Sequence, residues 1–230
     1  MQIIPAKTPE FVKSLFPNFV WNIETEKKEL YLTFDDGPTP EITDWVLQLL
    51  KQYNAKATFF CIGNNIKKHP EIFRYIIEEG HAVGNHTFNH LKGWKHNTKD
   101  YIEDTEKAQS IINSRFEIQK SELDNRQSSI VNLFRPPYGK FKSTQSKQLQ
   151  ELGYKIILWD VLSYDWDQSV SEDSCLQNVI SATKKGSIIV FHDSVKASRN
   201  LKYVLPKILR YYNEKGFTFK KLDKGLINKQ

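Results

Sequence analysis

The sequence has only two cysteines, Cys61 and Cys175, too few and too far apart for a disulfide framework, a zinc knuckle or a redox pair. Cys61 lies in the apolar run 57–62 and Cys175 in a helical stretch, so both read as buried thiols. No run is long and apolar enough to span a bilayer. Residues 1–21 lack the unbroken apolar core of a signal peptide, because Lys7, Glu10, Lys13 and Pro17 interrupt them. As written, the chain reads as cytoplasmic unless a leader has been removed. Repeats, low-complexity tracts and linkers are absent, which excludes solenoids and beaded domains. The basic residues form no compact stripe interleaved with aromatics, which argues against nucleic-acid binding.

What remains is 230 residues, 39% hydrophobic and 26% charged, enough for one sizeable core. The formal charge of +6 would favour anionic glycans, membrane surfaces or nucleic acid. Lysines such as Lys67, Lys68, Lys184 and Lys185 are scattered through helical stretches, so a solvated surface is the plainer reading. The expected organisation is a monomer with a catalytic domain over residues 29–230 and an N-terminal extension, 1–28, packed on it.

Short apolar runs rich in β-branched and aromatic residues alternate with longer amphipathic stretches, the pattern of a largely parallel α/β sheet or barrel. Seven strands are expected, near 30–34, 57–62, 82–84, 131–134, 155–159, 187–191 and 217–222. Residues 41–53 set Ile42, Trp45, Val46, Leu49 and Leu50 on one helical face, and 70–79 repeat this with Ile72, Phe73, Ile76 and Ile77 before Gly80. Further helices are expected at 98–116, 144–152, 175–183 and 201–212. Residues 117–129 are polar, lack either period and read as a surface loop.

Five polar clusters follow five of the apolar runs. They are Asp35-Asp36-Gly37-Pro38, the stretch from His86 to His90, Arg135-Pro136-Pro137-Tyr138-Gly139, the stretch from Asp160 to Trp166, and His192-Asp193. In parallel βα architectures the loops after the strands converge on one rim, so five clusters at equivalent ends point to one site. Neighbouring strand carboxylates point oppositely, which suits one as a cation ligand and the other as a proton acceptor. Asp-Gly-Pro is equally good turn or N-cap chemistry ahead of a helix. His86 and His90 share a face if their loop turns helically, and with one aspartate they make a two-His, one-carboxylate set with open positions. Surface His pairs at this spacing also occur without metal. His192 brings a group of ordinarily near-neutral pKa to the same rim, with a core histidine as the alternative. His69, His81 and His96 lie outside the clusters and read as structural or surface residues.

Together the clusters resemble the motif set of the carbohydrate esterase family 4 polysaccharide deacetylases, the NodB homology domain. Thr33-Phe34-Asp35-Asp36-Gly37-Pro38 has the form of the first family motif, His86-Thr87-Phe88-Asn89-His90 of the second and Arg135-Pro136-Pro137-Tyr138-Gly139 of the third. The resemblance implies a distorted (β/α) barrel of about seven parallel strands, a groove open to glycan chains and one divalent metal, usually zinc, with cobalt or nickel able to substitute. It implies Asp36, His86 and His90 as metal ligands, Asp35 as general base and His192 as general acid. Arg135 would pair with Asp35, Asp165 would tune His192, and Tyr138 would offer its backbone N–H to the oxyanion. Tyr138 and Trp166 would contact substrate. The implied activity is removal of N-acetyl groups from GlcNAc-containing glycans such as chitin oligomers, peptidoglycan or another surface polysaccharide. The same machinery would serve an O-acetyl esterase on xylan or an amidase on a non-sugar substrate. Two positions depart from the family pattern, Leu162 where an acidic residue is usual and Val190 where leucine is. Asp160 either compensates for Leu162 or is a strand-end residue with a structural hydrogen bond.

Overall fold

The computed structural model describes residues 5–122, 132–223 and 225. Among them, eight strands form one sheet with every pairing parallel. These are β1 (Glu29–Asp35), β2 (Thr58–Cys61), β3 (Ala82–Asn85), β4 (Leu133–Phe134), β5 (Lys155–Ile156), β6 (Val161–Leu162), β7 (Ile188–His192) and β8 (Thr218–Phe219). Seven follow in the order β5-β4-β3-β2-β1-β7-β6, and β8 lies beside the start of β1. That order cannot lie flat. Strands at its two ends would stand about 29 Å apart at ~4.8 Å per strand. Only residues 157–160 join β5 to β6, a reach of roughly 18 Å. The sheet therefore curls into the distorted barrel that the family resemblance implies, with a seam between β5 and β6.

The alternation of β1 divides the core. Leu30, Leu32 and Phe34 pack outward with Val46, Leu50, Val204 and Leu205 under the helices. Tyr31 packs inward with Phe60, Leu133, Ile157 and Ile188 inside the barrel, and Thr33 and Asp35 continue that inner face. Outside lie α2 (Ile42–Gln52), α3 (Gly63–Lys68), α4 (Pro70–Glu78), α5 (Thr98–Glu122), α6 (Ser143–Glu151), α7 (Glu172–Ala182) and α8 (Ser198–Glu214), after a short α1 (Glu10–Leu15). Helix α8 shows the rule most plainly, burying Leu201, Val204, Leu205, Ile208, Leu209 and Tyr212 on one stripe.

The seam is covered by the chain's own start. Leu162 N–H donates to Ala6 O and Thr8 N–H to Asp160 O, while Val20 exchanges hydrogen bonds with Ile156 and Leu158. The buried Asp160 carboxylate receives Lys7 at 2.5 Å, Lys13 at 2.6 Å and Ser187 Oγ at 2.5 Å. Burial opposes its charge, but Lys13, Lys7 and Ser187 hold its pKa below the ordinary carboxylate range.

Several boundaries differ from expectation. The single strand expected over 155–159 is the two-residue β5 followed by a crossing of the seam, after which β6 begins a new edge. The last strand spans only Thr218–Phe219, and α1 and α3 were not foreseen. Helix α5 runs on to Glu122, so the first part of the expected 117–129 loop is helical, and the rest lies outside the described residues. The segment Glu-Ile-Gln-Lys-Ser-Glu has strong helix formers but no apolar period.

Asp160→Ala leaves Lys13 and Lys7 without their shared anion, and stability should fall by about 3 kcal/mol, the low end for a buried pair because Lys7 is partly exposed. Urea denaturation checks this. The difference from wild type should persist at neutral pH and shrink only below the ordinary carboxylate range, where Asp160 takes up a proton.

Candidate active site

The carboxyl ends of β1, β3, β4, β6 and β7 carry the polar clusters. Register partners Asp35 on β1 and His192 on β7 stand side by side at the rim. Five of the seven non-glycine residues with positive φ among the described residues belong to these clusters: Asp36, Thr87, His90, Tyr138 and Tyr164. Left-handed backbone costs such residues about 1 kcal/mol or more each. Its concentration here shows that side-chain placement, not local comfort, shapes these loops.

Arg135 follows β4 and is fully buried, its guanidinium 4.1 Å from the Phe60 ring centroid inside the barrel. Nη1 donates to Asp35 Oδ1 at 2.8 Å and to Thr33 Oγ1 at 2.7 Å, Nη2 to Leu158 O at 2.9 Å and Nε to Ile157 O at 3.2 Å. Thr33 and Asp35 are both within reach because they are two residues apart on one strand face. Burial pulls the guanidinium pKa down and Asp35 opposes that shift.

Next to this pair, Asp36, His86 and His90 bring one donor atom each within 4.8 Å of one another. Nε2 of His90 and of His86 stand 3.2 and 3.6 Å from Asp36 Oδ1. That oxygen is buried and has no hydrogen-bond partner among the described residues. His86 Nδ1 sits 2.7 Å from Arg135 O, a carbonyl that can only accept, so Nδ1–H donates and the Nε2 lone pair faces Asp36. Burial holds the His86 pKa down to about 4, against the pull of Asp35 and Asp36, and keeps the ring neutral at physiological pH. Burial also works against the Asp36 charge, but His90, His192 and His86 outweigh it and keep the carboxyl well below its usual range. A carboxylate oxygen and imidazole nitrogens converging without a hydrogen bond fit a divalent cation. The pair does not meet through a helical turn as the spacing suggests. Thr87 and His90, at φ 63 and 55, fold the loop back and bring the rings to 5.1 Å.

On the far side, Asp165 clamps His192. Its Oδ2 accepts the His192 backbone N–H at 2.7 Å, and its Oδ1 lies 2.8 Å from Nδ1. Burial disfavours the imidazolium, but Asp165, helped by Asp36 and Asp35, overrides it and lifts the His192 pKa to about 9. Trp166 packs 4.8 Å from the His192 ring and stacks on Tyr164, and Tyr138 lies 4.8 Å from the His90 ring. All the sequence-selected residues thus gather on one rim, with one exception. Asp160 belongs to the seam, not to this site.

Other contributors had weaker signals. Asp104 accepts Phe88 N–H, Asn89 N–H and Asn89 Nδ2 and so shapes the His86–His90 loop, yet in sequence it is one polar residue in a polar helix. Asp193 accepts Gly37 N–H and Thr43 Oγ1, and burial lifts its pKa to about 7. Gly37 has no room for a Cβ, which would overlap that carboxylate. Asn65 Nδ2 donates to Asp36 O at 2.8 Å.

Comparison with known proteins places these features in context. The family model described as polysaccharide deacetylase matches residues 22–157. A peptidoglycan-N-acetylglucosamine deacetylase of Bacillus cereus is 32% identical over 205 residues, covering 86% of this chain and 88% of that protein. A second protein of that name from the same organism is 38% identical over 169 residues, covering 73% of this chain, which spans only 57% of its length. A crystal structure of a peptidoglycan N-acetylglucosamine deacetylase in complex with an N-oxidanyl-benzamide superposes with a TM-score of 0.82 at 32% identity, covering 96% of this chain and 97% of that one.

Zinc titrated calorimetrically into chelator-stripped protein should bind at least roughly 100-fold more weakly to Asp36→Ala than to wild type. Asp104→Asn, which keeps the side-chain shape but weakens the loop's anchor, should cost about 10-fold. Unchanged affinity in the first variant would place the cation elsewhere.

Proposed function

This chain belongs to the polysaccharide deacetylase family, a family of hydrolases, and from that premise we propose that it removes N-acetyl groups from a GlcNAc-containing glycan, peptidoglycan foremost. The observation that carries the reading is the flanking of Asp36, His86 and His90 by two oppositely built pairs, Asp35 with Arg135 and His192 with Asp165. A divalent cation held by Asp36, His86 and His90, zinc in our reading, would polarise the acetyl carbonyl and acidify the attacking water.

The remaining work falls to the chain's own groups. Asp35, aimed by Arg135, accepts the proton that water loses as it adds to the carbonyl carbon. Tyr138, in left-handed backbone at φ 61, offers its peptide N–H to the resulting oxyanion. His192 gives its Nε2 proton to the amine nitrogen as the C–N bond breaks, yielding acetate and a free amino sugar. Asp165 occupies Nδ1–H, so Nε2–H is the proton available for transfer. Trp166, packed on the His192 ring, walls the groove on that side.

Purified protein supplied with zinc or cobalt should release acetate from N-acetylglucosamine oligomers, and silence on every N-acetylated glycan would overturn the reading. Release from O-acetylated xylan alone would make it an esterase instead. Asp35→Asn should lower kcat by roughly 10²–10⁴-fold. Because His192 acts protonated, activity should fall as pH rises through about 9. Asp165→Asn removes the group that raises this pKa, so the alkaline limb should move to lower pH in a kcat profile.

A further inference from the structure

The charge of this protein is not spread evenly. Residues 86–99 and 132–150 hold seven Lys and Arg and no Asp or Glu, whereas the rest of the chain has 26 basic residues against 27 acidic ones. The excess thus resides in the two segments that supply His90 and Tyr138 to the rim. One of the seven, Arg135, is spent inside the barrel on Asp35. The scattered lysines of the other helices are balanced, so a uniformly solvated basic surface does not describe these two segments.

What they build is an exposed platform. Tyr138 and Trp94 are 51% and 39% exposed, and their rings meet edge to face at 5.6 Å. The platform is continuous with the cation cluster through His90, 4.8 Å from the Tyr138 ring. An ammonium stands over each ring, Lys92 at 5.3 Å from the Tyr138 centroid and Lys140 at 6.0 Å from that of Trp94. Neither lysine is paired with a carboxylate among the described residues. Aromatic faces suit the apolar faces of a sugar ring, and two unpaired cations beside them suit an anion on that sugar.

We propose that Trp94, Tyr138, Lys92 and Lys140 form a subsite for a carboxylate-bearing sugar adjoining the N-acetyl sugar that is cleaved. The preferred substrate is therefore an acidic glycan and not a neutral one. This rests on the deacetylase reading and names its substrate class. The occupant is a glycan chain because the platform runs directly into the reacting centre, so whatever lies on it is covalently continuous with the acetylated sugar.

The test compares two N-acetylglucosamine-containing oligomers of equal length, one with a lactyl carboxylate on alternate sugars and one neutral. Zinc-loaded wild type should show the higher kcat/KM on the acidic oligomer, chiefly through KM, and salt should erode that advantage. The double variant Lys92→Gln/Lys140→Gln should lose about fivefold to tenfold on the acidic oligomer and keep wild-type kcat/KM on the neutral one. Equal losses on both oligomers, or none on either, would overturn the subsite. If wild type releases acetate from neither oligomer, the deacetylase reading fails, and calorimetric binding then decides the subsite separately. Acid-selective binding that the double variant lacks would keep it, and equal binding of the two oligomers would remove it.

Discussion

The structure hangs on the Arg135 guanidinium, a full charge with no exposure to water. Its four hydrogen bonds reach Thr33 and Asp35 on β1 and the carbonyls of Ile157 and Leu158, where the chain leaves β5 to cross the seam. A guanidinium in that position without its carboxylate costs about 3–5 kcal/mol, so the curled sheet and the orientation of Asp35 are held by one residue. The same residue's backbone carbonyl accepts the hydrogen bond of His86 Nδ1–H, and its N–H donates to Asn85 O. Arg135 therefore aims the proposed base with its side chain and a proposed cation ligand with its main chain. A shift of β4 would disturb both.

Much of the fold was legible because burial imposes period. Strand β1 is apolar from Leu30 to Phe34 except at Thr33 and leads into two carboxylates, and α2, α4 and α8 carry their stripes openly. What escaped were elements whose reason is not apolar. The α3 sequence Gly-Asn-Asn-Ile-Lys-Lys buries Ile66 and Gly63 alone, too little for a period. Strand β6 escaped because Val161 and Leu162 follow Ile156, Ile157 and Leu158 after only Trp159 and Asp160 and lie inside the polar stretch from Asp160 to Trp166. Hydrophobicity records that both ends are buried, not that the chain has moved to the opposite edge of the sheet.

The site was legible in residue types and strand ends, and less so in the reasons they meet. His86 and His90 were paired by a helical spacing, yet they converge because Thr87 and His90 are left-handed, in a loop whose intervening Phe88 and Asn89 N–H groups are held by Asp104 from α5. Nothing in the local sequence signals that anchor, since it depends on where α5 packs. Asp193 was visible beside His192, but its task, fixing the Gly37 turn that presents Asp36, follows only from the β1–β7 register. Asp160 shows the opposite case, a carboxylate in the right cluster that precedes β6 instead of following it and so lies in the seam with Lys7 and Lys13.

The register that makes Asp35 and His192 neighbours also creates a difficulty. A carboxylate and an imidazolium placed side by side and largely buried would neutralise each other through one ion pair, and neither would be left to act on a substrate. The chain avoids this by giving each group a partner of its own. Arg135 holds Asp35 from inside the barrel, and Asp165 takes the His192 Nδ1–H and backbone N–H from the β6 side. The Asp36, His86 and His90 cluster lies at the same rim. The buried charges of Arg135 and Asp165 thus carry no chemistry themselves. They allow the proposed base and the proposed acid, of opposite charge, to coexist in adjacent strand positions.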